Sequence, residues 1–560
     1  MTVAPSPPEG RGPRATALLP RRPDPWSLAA LLIAALVLLP VTAVLLIAAA
    51  GLGGEAAETW GHLLSTTLPR YLGGTLLLMA GTGALTAAVG TGAAWLVAMH
   101  RFPGRGWLQW ALLLPLAVPA YVGAYALVDF LEYAGPVQRT LRALMGWESA
   151  RDYWFPEVRT EGAAVLVLSG ALYPYVYLLA RAAFREQSGA SFEVARALGA
   201  GPWARFLRVG LPLARPAVAA GVAVVMMEVM GEFGAVDYFG VQTLTTGIFS
   251  LWLQAGDLAA AAQVSASMLL IVVLLVLLEK ASRRRARTHV AGRALRPVTP
   301  RPLAGWRGWL ACGACLLPFL GGFVLPVGVL LGHAFNASAW VAPGLWPALL
   351  HSVTTAGAAA LLTVSLAVVM VYGARLSGRR LPVLLLPVTA IGYAVPGAVL
   401  GIGILVPLAG LDNLVADAVE RTFGIDPGLI LTGSAGALVL AYAVRFFAVA
   451  QGAADGAMAR IPPSLPLAAR SLGRTAGGAL GAVHLPLMRA SLGSAVLLVF
   501  VDCIKELPAT LLLRPFGFDT LATRVHAKAS LENLSDAAPA ALTITLVGLA
   551  ATALLARASR

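Results

Sequence analysis

The chain has 560 residues, of which 58% are hydrophobic and only 12% charged, with a formal net charge of +14. Soluble domains carry about 25% charged residues, so a soluble globule is excluded. The positive charge would suit nucleic acid, but its placement along the chain excludes that partner as well.

Residues 1–27 are rich in Pro and Arg and read as a disordered basic tail. A helix needs roughly 20 apolar residues to cross a bilayer. Residues 28–50, LAALLIAALVLLPVTAVLLIAAA, supply the first such run. It is longer than the ~7–15 apolar residues of a signal peptide, so it reads as a retained helix. Further runs follow near 71–99, 108–133, 162–183, 213–230, 258–279, 307–333, 351–374, 381–410, 429–450, 487–512 and 537–556. Several contain Pro or Gly, which membrane helices tolerate. Twelve spans with a cytoplasmic N-terminus put 31 of the 41 Lys and Arg inside, and 21 of the 27 Asp and Glu outside. That is the positive-inside bias of a multi-pass membrane protein with both termini in the cytoplasm.

The chain repeats. At an offset of 274, Ala195, Leu198, Gly199, Leu211, Pro212, Leu213 and Arg215 meet Ala469, Leu472, Gly473, Leu485, Pro486, Leu487 and Arg489, and Glu232 meets Glu506. At an offset of 277, AVPA at 117–120 meets AVPG at 394–397, and TLTTGI at 243–248 meets TLATRV at 520–525. The expected fold is an all-α polytopic membrane protein of about 12 transmembrane helices in two homologous six-helix halves. An even span count per half gives both the same orientation, related by a pseudo-two-fold axis along the membrane normal. The halves are bounded at 28–279 and 307–560, and the basic, Pro-containing stretch 280–306 links them.

One stretch of the first half departs from the apolar background. Residues 191–218, SFEVARALGAGPWARFLRVGLPLARPAV, carry Arg196, Arg205, Arg208 and Arg215, with Arg185 just upstream. Ser191 can cap a helix with Glu193 in its first turn. Gly199 suits the left-handed helix end and Pro202 the first turn of a second short helix, with Trp203 and Phe206 on one face. Such an elbow can offer an apolar knob to a groove in a partner or lie on anionic lipid. Its second copy favours a two-fold partner.

Glu193, Ala195, Gly199, Val209, Leu211 and Pro212 fit the pattern E-x-A, three residues, G, nine residues, an aliphatic residue, x, L-P. This resembles the EAA motif of the inner-membrane permease subunits of binding-protein-dependent ABC importers. The copy at 465–487 keeps Ala469, Gly473, Val483, Leu485 and Pro486, has Leu467 where the family has Glu, and lacks the aromatic knob. The resemblance implies the MetI-like fold of type I importer permeases, in the form with two fused halves, in a bacterial inner membrane. It makes 191–213 and 465–487 the coupling segments for two copies of an ATP-binding subunit, and gives the chain a periplasmic binding protein and membrane lipid as partners. The stretches at 118–138, 172–184 and 231–252 look most like ferric iron permeases. Fused permeases for thiamine, polyamines or aminoethylphosphonate are relatives.

The chain has no ATP-hydrolysing motif of its own. A P-loop needs its Lys after Gly, and none of Lys280, Lys505 and Lys528 follows one. No catalytic residue, metal site or bound cofactor is expected. Cys312 and Cys315 share C-x-x-C spacing inside an apolar run without a second pair, which reads as helix packing. ATP belongs to the partner subunits, and an ion-gradient-driven transporter would not need paired docking elbows. Ionisable groups at membrane depth are functional candidates: Asp129, Glu228, Glu232, Asp502, Lys505 and Glu506. Glu228, Glu232, Asp502 and Glu506 are the candidates for the translocation path. The paired glutamates would line its external mouth, or else form salt bridges at the water boundary. Tyr121, Tyr125, Tyr173, Tyr175 and Tyr177 read as interfacial anchors.

Overall fold

The computed structural model describes residues 25–53, 55–285, 299–335, 340–377, 380–390, 392 and 395–558. The basic tail lies outside these up to residue 24, as does the linker from 286 to 298. Among the described residues, ten unbroken helices are long and apolar enough to cross a membrane: α1 Pro25–Ala50, α2 Thr67–Met99, α3 Glu161–Glu186, α4 Pro202–Gly231, α5 Leu258–Ala281, α6 Trp306–Ala334, α7 Leu345–Leu376, α8 Gly397–Phe423, α9 Ala476–Ile504 and α10 Leu534–Leu554. Two further helix pairs meet the same test together, each bent at a short break. Arg105–Ala117 and Ala120–Met145 meet at 95°, and Ala435–Arg445 and Phe447–Ala459 meet at 50°. Counting each pair once gives twelve. The run 381–410 breaks into Arg380–Thr389 and α8 across the AVPG stretch. Pro119 and Pro396 each stand immediately before the helix that resumes, where a missing N–H costs nothing.

The internal repeat is visible in side-chain detail. Thr243 and Thr246 form a reciprocal capping box at the helix Leu244–Phe249, and Thr520 and Thr523 form one at Leu521–Ala529. The Leu244 N–H donates to Thr75 Oγ1 at 2.9 Å, and the Leu521 N–H donates to Ser352 Oγ at 2.7 Å. All these partners are 277 positions apart.

Packing does not follow the chain's division at 28–279 and 307–560. Helix α1 packs on α7 and α8 of the other half as well as on α5 of its own. Helix α6 reciprocates, crossing α3 and the bent span around 114–131. Small residues permit the close approach. A Cβ on Gly322 of α6 would collide with the Gly170 carbonyl, and one on Gly403 of α8 with the Pro40 carbonyl. Asp129 contributes here. Its Oδ2 lies 3.0 Å from His333 Nε2, while His333 Nδ1 is 3.1 Å from Ser535 Oγ, which fastens α6 between two neighbours. One pair of two-residue parallel strands, β1 His100–Arg101 and β2 Arg301–Pro302, brings the end of the linker back beside α2.

Candidate functional site

Four helix breaks converge on one polar cavity of about 110 Å³ between the halves. They are the bend at 118–120, the ends of α4 and α9, and the bend at 445–446. Glu228, Glu232, Asp502 and Glu506 all line it, with Lys505, Arg445, Tyr121 and Tyr175. Asp129 does not. Glu232 follows the last residue of α4 and accepts the Ala235 N–H at 3.0 Å. Glu506, two residues beyond α9, accepts the Ala509 N–H at 3.2 Å. Each glutamate therefore spans the break to the short helix that follows, Gly234–Tyr238 or Pro508–Leu513. Glu506 is only 5% exposed and pairs with Arg445 Nη1 at 3.1 Å, while Lys505 Nζ sits 2.8 Å from Asp502 Oδ1. A charge taken from water is tolerable when paired and hydrogen-bonded in this way. Gly397 makes the first pair possible, because a Cβ there would collide with both Arg445 Nη1 and Glu506 Oε1.

Two sequence-based assignments change. Arg445, one of the 31 basic residues that the charge sorting puts on the cytoplasmic side, stands in the bend between Ala435–Arg445 and Phe447–Ala459 and lines the cavity. The tyrosines are not interfacial anchors: Tyr121, Tyr125, Tyr173 and Tyr177 are buried. Tyr125 Oη lies 2.9 Å from His526 Nδ1, and the Tyr177 hydroxyl donates to the Gln109 carbonyl at 3.0 Å.

The two elbows lie at the Arg-rich end. The first helix runs Gly189–Ala197 with Ser188 at its N-cap, so Ser191 is inside the helix and does not cap it. Gly199 and Gly473 both take the left-handed conformation, at φ of 81° and 83°, which a Cβ would disfavour. Beyond the elbow there is no separate short helix, because α4 runs unbroken from Pro202 into the membrane span. It accommodates a wide turn at Phe206–Gly210, where the Leu211 N–H reaches back to Phe206. Pro212 explains the turn: its ring crowds the carbonyl four residues earlier and its nitrogen has no hydrogen to donate. Leu485 and Pro486 repeat this at the start of α9, where the Leu485 N–H bonds to Leu480.

The expected knob divides in two. Trp203 is 75% exposed, but Phe206 is half-buried against Trp95, with ring centroids 5.0 Å apart. Leu198 and its repeat partner Leu472, 82% and 86% exposed, form the apolar tips the two elbows share. Glu193 is exposed, as is Leu467 at its place in the second elbow, and Ala195 and Ala469 are half-buried. Tyr372 anchors the second elbow by donating to the Ala476 carbonyl at 2.7 Å. Beside the first, burial and then the Arg205 and Arg301 charges push the His100 imidazole below its ordinary range.

Residues 89–288 match the family described as binding-protein-dependent transport system inner membrane component. The chain is 32% identical over 168 residues to the molybdenum transport system permease protein ModB of Azotobacter vinelandii, covering 30% of this chain and 70% of that one. The chain belongs to that family. It is a permease of a binding-protein-dependent ABC importer, a transport subunit of the bacterial inner membrane and not itself an enzyme. The permease is also 25% identical over 534 residues to the Fe(3+)-transport system permease protein FbpB 2 of Haemophilus influenzae, covering 94% of this chain and 97% of that one. With the sulfate transport system permease protein CysT of Escherichia coli it shares 31% identity over 178 residues, 31% of this chain and 61% of that one. Among solved structures, a bacterial alginate ABC transporter in complex with alginate pentasaccharide-bound periplasmic protein aligns at a TM-score of 0.37. It is 19% identical and covers 45% of this chain and 90% of that one.

Proposed function

We propose that this permease carries ferric iron from an external binding protein to the cytoplasm, powered by two copies of an ATP-binding subunit. The observation that carries the cargo is the similarity to the Fe(3+)-transport permease along 94% of this chain and 97% of that one. The chemistry of the cavity agrees. Four carboxylates against two basic groups leave a formal excess of negative charge, which attracts a cation and repels sulfate. Carboxylate and phenol oxygens are hard donors, suited to a hard cation. The exposed Leu198 and Leu472 tips, with Trp203 beside the first, are the docking points for the ATP-binding subunits. The positive-inside charge bias supports a cytoplasmic position for them and for both termini. The chain binds no cofactor of its own in this reading, and ATP is consumed by the docked subunits.

The test is uptake into vesicles holding the permease, its ATP-binding subunit and its binding protein. ATP-dependent accumulation of radioactive iron, unaffected by excess thiamine, polyamine, aminoethylphosphonate or sulfate, is expected. Uptake of one of those compounds without iron would overturn the cargo and leave the importer assignment standing.

A further inference from the structure

The two halves contribute unequally to the charge of the cavity. Its acids come in repeat pairs, Glu228 with Asp502 and Glu232 with Glu506. Its cations do not. Lys505 stands where the first half has Gly231, and the positions 274 and 277 before Arg445 are Ala171 and Leu168. Among the described residues, no basic residue of the first half lines the cavity. Both second-half acids are held, Asp502 by Lys505 at 2.8 Å and Glu506 by Arg445 at 3.1 Å.

An independent feature points to a ligand. Tyr121 is 3% exposed and on the cavity wall, yet among the described residues its hydroxyl meets no hydrogen-bond partner. A buried hydroxyl is seldom left unsatisfied. The space beside it, about 110 Å³, exceeds the roughly 10–15 Å³ that a single water needs. It has room for a partly hydrated ion.

We propose that Lys505 and Arg445 are tethered counter-ions. They hold Asp502 and Glu506 while the cavity is empty and release them to a passing multivalent cation, which gains the Tyr121 oxygen as a further donor. A tethered ammonium or guanidinium competes at a high effective concentration. Singly charged ions are therefore shut out, and a highly charged ion is bound weakly enough to leave. This deepens the cation-transport reading above and rests on it.

The probe is Tb³⁺, a hard trivalent ion whose luminescence tyrosine sensitises, titrated into the intact permease–ATPase complex in lipid nanodiscs. Lys505→Gln should tighten Tb³⁺ binding at least tenfold, let Na⁺ compete, and lower both KM and kcat for iron uptake as release becomes slow. Lys505→Arg should restore wild-type behaviour, the double variant Asp502→Asn/Lys505→Gln should return the affinity to the wild-type range, and Tyr121→Phe should weaken it. If Lys505→Gln does not assemble, Arg445→Gln and Arg445→Gln/Glu506→Gln provide the same comparison. Tb³⁺ affinity unchanged or weakened in the single variants would overturn the counter-ion role, even if iron uptake is confirmed. Tightened Tb³⁺ binding in a permease that takes up no iron would uphold that role and refute the cargo.

Discussion

Gly397 shows how much the cavity depends on one absent methyl group. Its position lets Arg445 and Glu506 meet. Gly397→Ala should push the Arg445 and Glu506 tips off their present contact, at about 1–3 kcal/mol, the usual cost of overpacking a filled site. The expected result is a markedly lower melting temperature of the purified permease together with lost uptake. Gly410, on the same helix with open space around it, is the control. Gly410→Ala should be neutral or stabilising, by up to ~1 kcal/mol. The acids of the cavity were legible in the sequence, because an ionisable side chain within an apolar run stands out. Arg445 was not. It follows AYAV at the end of a run and precedes FFAVA, where it passes for a flanking loop residue. No Pro or Gly nearby announces the 50° bend that turns it inward.

The elbows illustrate what a motif conveys about an element and what it omits. Spacing located the left-handed glycines and the Leu-Pro pairs, because each imposes a backbone conformation that few residues satisfy. It could not separate Trp203 from Phe206, since their division depends on Trp95, about a hundred residues upstream. The two positions should therefore behave differently. Trp203→Ala should leave the fold intact and reduce the amount of ATP-binding subunit recovered with the permease. Phe206→Ala removes packing against Trp95 and should instead destabilise the permease by ~2 kcal/mol, toward the low end for large-to-small core changes. Thermal unfolding and co-purification, measured on both variants, distinguish the roles. Leu472→Asp should impair ATPase recovery about as much as Leu198→Asp, because the exposed tip is what the second elbow keeps.

For the molecule as a whole, the repeat and the charge sorting made the twelve spans and their two groups of six legible. The exchange of α1 and α6 between the groups was not, because both helices are mostly apolar and hydropathy does not record which neighbour covers which face. Co-expressed fragments cut within residues 286–298 should assemble into a working permease. The fragment ending before the cut, expressed alone, should be degraded, since α1 lacks α7 and α8. Pulse-chase of each fragment with and without the other checks this. The exchange also imposes an order on biogenesis. Helix α7 begins about 300 residues after α1 ends, and at about 5–20 residues per second of synthesis α1 waits roughly 15–60 s in the bilayer for its partners. Its sequence has no charged residue from Pro25 to Ala50, so lipid can shelter it through that delay, and a charge placed there would expose the newborn chain to quality control before the second half exists.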